Sequence, residues 1–585
     1  MAVPNGHRPF PPFTHSDAQR EKSSLSVFTT AAYDDHKNIV LLAFEIMEKI
    51  VRDYFPYITE TETTTFTDCV NCLIAFTNNR FNKDISLSAI GFLRYCAEKL
   101  AAGDLGSLGK RKDKEPSGNL SPSLTPTSKD AKLQNKELSD KDDHLYFWFP
   151  LLAGLSELSF DPRPEIRKRA LQILFDTLRN YGHIFSLPLW ERVFESVLFR
   201  IFDYVRQAVD PSAEGGDGKM VEFDQDSWLY ETCTMSLELI VDLFINFYST
   251  VNPLLKKVLL LLVSFIQRPH QSLAGIGIAA FVRLISNAGD LLSDDKWLDV
   301  ASSLKEAAVS TLPDFSFIFD GNSSIRSNEE SVSGEGHGES PLSPLSPSSE
   351  HDRDPEGLRT QQFYAAVSDV KCRVAVQLLL IQAMMEIYTT YRAQIDTENA
   401  CVLLDALHTV ATHAHKINTN VQLCSKIQEL GSLMQMQDPP LLRLENESYQ
   451  MCLTLCQTLM LDQPQNFKEE VIESHLVNLC QEVLGFYIKA SSGHLMNEPA
   501  CGSGPQGRIP LSSRRRRELS ARAPLIVASL QAMRSLGETS FKKHLAQFFP
   551  LLTALISCEH GSKDVQVALS EMLDEAVGPA LMRSC

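Results

Sequence analysis

The feature that most limits what this chain can fold into is a short pattern that recurs at distant places along it. After the turn Asp161-Pro162-Arg163-Pro164, Glu165-Ile166 is followed by Ala170-Leu171 and then by Leu174. The same order returns at Asp84-Ile85, Ala89-Ile90 and Leu93, and more loosely at Ser272-Leu273, Gly277-Ile278 and Phe281. Near the end, Asp564-Val565, Ala568-Leu569 and Met572 repeat it after a small deletion, and Phe549-Pro550-Leu551-Leu552 copies Phe149-Pro150-Leu151-Leu152. In each copy a small residue lets a paired helix approach, and branched apolar residues fill the groove between neighbours. One such hairpin cannot bury its apolar face alone, so hairpins must stack. At about 40 to 47 residues per unit the ordered chain would hold on the order of ten of them. An irregular helical bundle is the competing arrangement.

The fold class follows as all-α, a HEAT/armadillo-like α-solenoid interrupted by disordered linkers. Residues Phe363, Val367, Val370, Val374, Leu378, Ile381, Met385 and Tyr388 fall at helical spacing and predict one apolar stripe. No comparable stretch keeps the strict alternation of a half-buried strand. Composition shifts divide the chain. Residues 1–26 are an atypical disordered N-terminus and 27–102 helical repeats. Residues 103–143 and 320–358 are linkers rich in Ser, Pro and charge, expected to be disordered. Residues 144–319 and 359–490 form two helical-repeat blocks, 491–517 a basic linker, and 518–585 the C-terminal repeats.

Charge narrows the function. The 585 residues carry 55 Lys plus Arg against 73 Asp plus Glu, a formal charge of −18. A nucleic-acid binder would show a basic excess on one face, so no nucleic acid is expected. The 13 cysteines are scattered through apolar stretches, which fits a reducing compartment better than a disulfide framework. The longest apolar run, Val258–Ile266, is short of the ~20 residues that cross a bilayer, and no secretory signal opens the chain.

Several constellations could carry chemistry, and each has a plainer reading. Cys69-x-x-Cys72 lacks a second pair at finger distance, and Cys452 and Cys456 sit one helical turn apart; both read as packed thiols. His408, His413 and His415 have no acidic or sulfur partner on their helical face and read as surface or groove residues. Gly275-x-Gly277-x-x-Ala280 mimics a dinucleotide fingerprint without its strand, so close helix packing is expected. No nucleophile elbow, phosphate loop or zinc-protease helix occurs. No catalytic residue, cofactor or metal site is expected.

Two features point outward. Arg514, Arg515, Arg516 and Arg517, helped by Arg522, form a basic cluster just before an apolar helix expected at Pro524–Leu536. Such a cluster can hold an anionic membrane surface or a partner, or simply keep a linker solvated. Ser121, Thr125, Ser340, Ser343 and Ser346 each precede proline within the two linkers and are expected phosphorylation sites, although any disordered tract is enriched in Ser and Pro.

Longer blocks carry a resemblance. Tyr54-Phe55-Pro56-Tyr57-Ile58-Thr59-Glu60-Thr61-Glu62, continuing through Phe66-Thr67-Asp68-Cys69 to Phe92-Leu93-Arg94, resembles the helical domain that follows the catalytic domain in large ARF guanine-nucleotide exchange factors of the BIG type. Trp148 to Gln207, with Leu187-Pro188-Leu189-Trp190, is similar to a later domain of the same proteins, and the tail from Phe548 resembles the plant members. The likeness runs from Val27 to Cys585. The family's catalytic Phe-Arg-Leu-Pro-Gly-Glu string does not occur here, so the resemblance carries over no catalytic residue and implies a non-catalytic regulatory part. It implies vesicle-mediated protein transport at the trans-Golgi network or endosomes, from the cytosol and peripherally on the membrane. The partners implied are small GTPases of the ARF/Rab type, with an anionic membrane surface and a homodimer as further expectations. A generic helical-repeat adaptor, for nuclear transport or a phosphatase, is the competing function.

Overall fold

The computed structural model describes residues 25–54, 63–79, 81–102, 147–161, 163–203, 222–320, 355–462, 469–492 and 513–582. Among them every regular element is helical. The chain divides into two compact units, Met1–Leu254 and Leu255–Cys585.

The first unit holds α1 (Ser26–Ala32), α2 (Lys37–Tyr54), α3 (Thr63–Thr77), α4 (Lys83–Ala101), α5 (Phe147–Phe160), α6 (Pro164–Tyr181), α7 (Leu187–Val193, continuing irregularly to Phe202) and α8 (Glu222–Asn246). Helix α3 packs on α4, α4 on α6, and α6 on α8. Contact with near neighbours in sequence is what a stacked array requires. Within this unit the predicted turn does more than reverse the chain. Arg163 grips Asp161 through Nε and Nη2 (2.9 and 2.8 Å) and donates to the Thr77 and Asn79 carbonyls (2.6 and 3.2 Å). Those carbonyls belong to the last residue of α3 and to the residue two beyond it, so the arginine satisfies acceptors that the helix end leaves open. Asn79 braces the same corner, accepting from the Phe81 and Asn82 amides.

The second unit holds α9 (Leu255–Ile266), α10 (Gln271–Ala288), α11 (Asp294–Ser310), α12 (Pro355–Tyr391), α13 (Thr397–Thr419), α14 (Val421–Glu429), α15 (Leu442–Asp462), α16 (Glu469–Ser492), α17 (Ser513–Ser535), α18 (Glu538–Ser557) and α19 (Lys563–Met572). Helix α9 packs on α10 and α11, α10 on α12, α11 on α13, α13 on α15, α15 on α16 and α17, and α17 on α19. Most helices thus touch the next in line, the next but one, or both, as helical repeats do.

All four copies of the recurring pattern fall on helices of this kind, α4, α6, α10 and α19. Their key residues, among them Ile85, Ala89, Ile166, Ala170, Leu273, Val565 and Leu569, are buried. Gly277 shows why a small residue is needed: a Cβ there would stand 2.9 Å from Phe265 Cβ and 3.1 Å from the Ile266 nitrogen of α9. Gly277 thus serves close helix packing, whereas a Cβ on Gly275 would meet nothing within 4 Å. The apolar run beginning at Val258 belongs to a longer helical stretch, Tyr248–Ile266, which with Gln271–Leu291 is long and apolar enough to cross a membrane. More than half of each is buried against protein (56% and 61%).

The structure redraws three expectations. The stripe on α12 is not single. Phe363, Val367, Val370, Ile381 and Tyr388 are buried, but Val374, Leu378 and Met385 are only half-buried, while Val376, Leu380 and Met384 are buried too. The helix is wedged between α10 on one side and α15 on another, so it buries more than one face. Helix α12 starts at Pro355, four residues inside the expected linker. Helix α17 starts at Ser513, so the basic segment joins the helix and Pro524 lies in its interior.

Candidate partner-facing helix and the buried network beneath it

The four arginines follow Ser513 at the start of α17, with no acidic residue in the first turn. Arg515, Arg516 and Arg517 are exposed. Positive charge at a helix N-terminus opposes the helix dipole, at a typical cost of about 0.3–1 kcal/mol per charge. The helix dipole therefore does not favour this placement.

Arg522 does not join them, which corrects its expected place in the cluster. It sits two turns further along, is 5% exposed, and points inward. Its Nη1 and Nη2 donate to the two carboxylate oxygens of Glu445 (2.7 and 3.0 Å), and its Nε donates to Glu518 (3.2 Å). The reason is packing: α17 lies on α15, and Glu445 of α15 is fully buried. Asn418 Nδ2 donates to the same carboxylate (2.6 Å), and its Oδ1 accepts from the Leu441 amide (2.8 Å). His415 Nδ1 is 2.8 Å from Glu445 Oε1, and its ring stacks on Phe486 at 3.5 Å. Burial alone would raise the Glu445 pKa. The hydrogen bond of His415, the charge of Arg522 and the bond from Asn418 outweigh it and hold the carboxyl down at about 2. The network thus ties the arginine-bearing helix to α13, α15 and α16 through one buried anion. Fully paired buried charges of this kind fix how helices sit more than they add net stability.

The three histidines were expected on the surface or in a groove, and each has a separate protein partner. His408 Nε2 meets Glu482 (3.1 Å), which also accepts from the Tyr449 hydroxyl (3.3 Å). His413 meets the Pro313 carbonyl (2.8 Å), and His415 is drawn into the network. The sequence signal for this lay in pairing across helices about 30 and 77 residues apart, which no local window contains. A second buried anion, Glu473 of α16, accepts from Ser540 (2.8 Å) and lies 2.7 Å from His544 Nε2, both on α18. Cys69, Cys72, Cys452 and Cys456 are all buried, and burial pushes the Cys72 and Cys456 thiols up to about 12. Ser121, Thr125, Ser340, Ser343 and Ser346 lie outside the described residues.

Comparison with known proteins places this site. Residues 375–574, which contain the whole network and the arginines, match the family model described as the BIG2 C-terminal domain. Residues 57–221 match the model described as the C-terminal region of Mon2 protein. The chain is 62% identical over 577 residues to brefeldin A-inhibited guanine nucleotide-exchange protein 2 of Arabidopsis thaliana, covering 96% of this chain and 32% of that protein. Protein 3 of the same plant is 54% identical, covering 96% of this chain and 31% of its own length. Human brefeldin A-inhibited guanine nucleotide-exchange protein 1 is 22% identical, with coverage of 92% and 29%. The chain thus spans about a third of the length of the curated relatives it matches. A solved structure of Kap121p bound to Pho4p superposes with a TM-score of 0.20 at 10% identity, covering 95% of this chain and 55% of that one, too low to bear on partners. By its matches, this chain belongs to the brefeldin A-inhibited guanine nucleotide-exchange protein family and corresponds to the C-terminal region of the plant members.

Proposed function

We propose that this chain is the non-catalytic regulatory portion of an ARF guanine-nucleotide exchange factor, working in vesicle-mediated protein transport at the trans-Golgi network and endosomes. In this reading its helical repeats bind small GTPases of the ARF/Rab type, and the first turn of α17 helps to hold the chain on an anionic membrane from the cytosol. The observation that carries the reading is the 62% identity over 96% of the chain to a plant exchange protein. The exposed arginines against the helix dipole favour the membrane contact. The Ser-Pro and Thr-Pro sites at Ser121, Thr125, Ser340, Ser343 and Ser346 would add negative charge to the segments between helical blocks.

The test is a pull-down of purified chain with Golgi ARF and Rab proteins loaded with GTP or GDP. Retention that depends on GTP supports the proposal. Equal retention of both forms, or of neither, removes the GTPase-binding part and favours a generic helical-repeat adaptor, whether for nuclear transport or as a phosphatase scaffold. A homodimer would enter the same experiment as a second, differently tagged copy retained on the beads.

A further inference from the structure

The loose likeness between residues 165–174 and 272–281 is part of a longer equivalence. Keeping the register that matches Glu165 with Ser272, Leu152 of α5 falls on Leu259 of α9, and Ala170 of α6 on Gly277 of α10. Beyond the second helix the register continues through Gly182 and Gly289, Ser186 and Ser293, and Trp190 and Trp297. The backbone repeats as closely as the residues. Gly182–Ile184 and Gly289–Leu291 are each a single 3₁₀ turn. Phe185 follows with φ −81°, ψ 132°, and Leu292 with φ −79°, ψ 135°. Ser186 then has φ −75°, ψ 161°, and Ser293 has φ −81°, ψ 165°.

The packing repeats as well. A Cβ on Gly182 would lie 2.5 Å from the Trp190 ring and 2.9 Å from Phe247, which follows the long helix α8. A Cβ on Gly289 would lie 2.4 Å from Tyr391, the last residue of the long helix α12. Trp190 and Phe247 have ring centroids 5.0 Å apart at 39°, and Trp297 and Tyr391 are 5.3 Å apart at 46°. Both indole Nε1 atoms are buried without a hydrogen-bond partner, a shared departure from the usual satisfaction of buried donors. The boundary between the two compact units, after Leu254, falls between the two sets. Surface positions do not follow the register: His183 stands against Asp290, and Arg192 against Asp299.

We infer that residues 148–247 and 255–391 are two copies of one helical module, each closed by the same lock, in which a glycine at the end of the second helix receives an aromatic side chain from the end of the long helix and a tryptophan stacks beside it. The lock and the core were kept while the charged surface diverged, so the module is a shared frame that presents different faces. The lock is a packing device: an aromatic ring needs a residue without Cβ opposite it, and filling a tight contact forces neighbours to shift.

Hydrogen exchange on the full chain tests this with three variants. Gly182→Ala should speed amide exchange in α6, α7 and α8 by about tenfold or more while leaving α10 to α12 within about twofold, and Gly289→Ala should do the reverse. Replacing residues 182–190 by the sequence of residues 289–297 should keep α6 to α8 folded, with protection closer to the parent chain than that of Gly182→Ala. Unchanged protection in both alanine variants, loss spread equally over both copies, or collapse of α6 to α8 in the exchanged chain would each overturn the inference.

Discussion

At the residue scale the carboxylate of Glu445 decides most. It is fully buried and accepts from Arg522, Asn418 and His415. Removing one partner leaves an uncompensated charge in a dry site, which typically costs about 3–5 kcal/mol. Arg522→Ala is therefore expected to lower stability strongly, and Arg522→Ala combined with Glu445→Leu to recover much of the loss; urea titration of the three chains measures both. The pH dependence has a definite sign. The Glu445 pKa drops from 4.5 to about 2 on folding, so its contribution is present above about pH 4.5 and is lost as pH falls from there toward 2, amounting to about 3 kcal/mol. Glu473, also lowered once the bonds from Ser540 and His544 outweigh its desolvation, pulls the same way. Glu445→Gln should flatten that acid limb, and an unaltered acid transition would refute the assignment. None of this was readable locally: Arg522 looked like one more member of a basic cluster because sequence distance hides which way a helix turns its side chains.

At the element scale α17 joins two properties that the sequence placed apart. The run of arginines and the apolar segment form one helix through Pro524. Proline in a helix interior removes one backbone bond and usually kinks or ends the helix. Here α17 is held by packing against α15, α16 and α19. Gly561 also brings the chain before α19 close, since a Cβ there would sit 2.4 Å from the Ser520 nitrogen. Exchanging Arg514, Arg515, Arg516 and Arg517 for Glu should have opposite effects on two readouts. Thermal unfolding should move slightly upward, because acidic residues suit a helix N-terminus. Affinity for phosphatidylserine liposomes, read by sedimentation, should fall by about a hundredfold or more, each of the four arginines near an anionic leaflet being worth about 1 kcal/mol. Unchanged sedimentation would sink the membrane contact.

At the scale of the whole molecule, the two units share one construction rule, in which helices contact near neighbours in sequence. Such an array offers long surfaces for protein partners. The proposal of a regulatory part predicts that the purified chain does not accelerate nucleotide exchange on an ARF protein. A fluorescence exchange assay at micromolar chain checks this, and clear acceleration would overturn the proposal. The repeat pattern was legible at this scale because each hairpin must place a small residue and branched apolar residues at fixed helical spacing. The double-sided burial of α12 was not, because a helix pressed from two directions loses the single stripe that periodicity detects.

The sequence by itself determined the helical class, the repeating hairpin with Ala170 or Gly277 at its contact, and the family, since these reside in local spacing and in identity spread over nearly the whole chain. Only the tertiary structure decided which arginines face outward, which histidines are held by buried carboxylates, and where Trp190 and Trp297 find their matching glycines and rings. Those choices depend on helices brought together from tens of residues apart, where burial and pairing outweigh anything a neighbouring residue can specify.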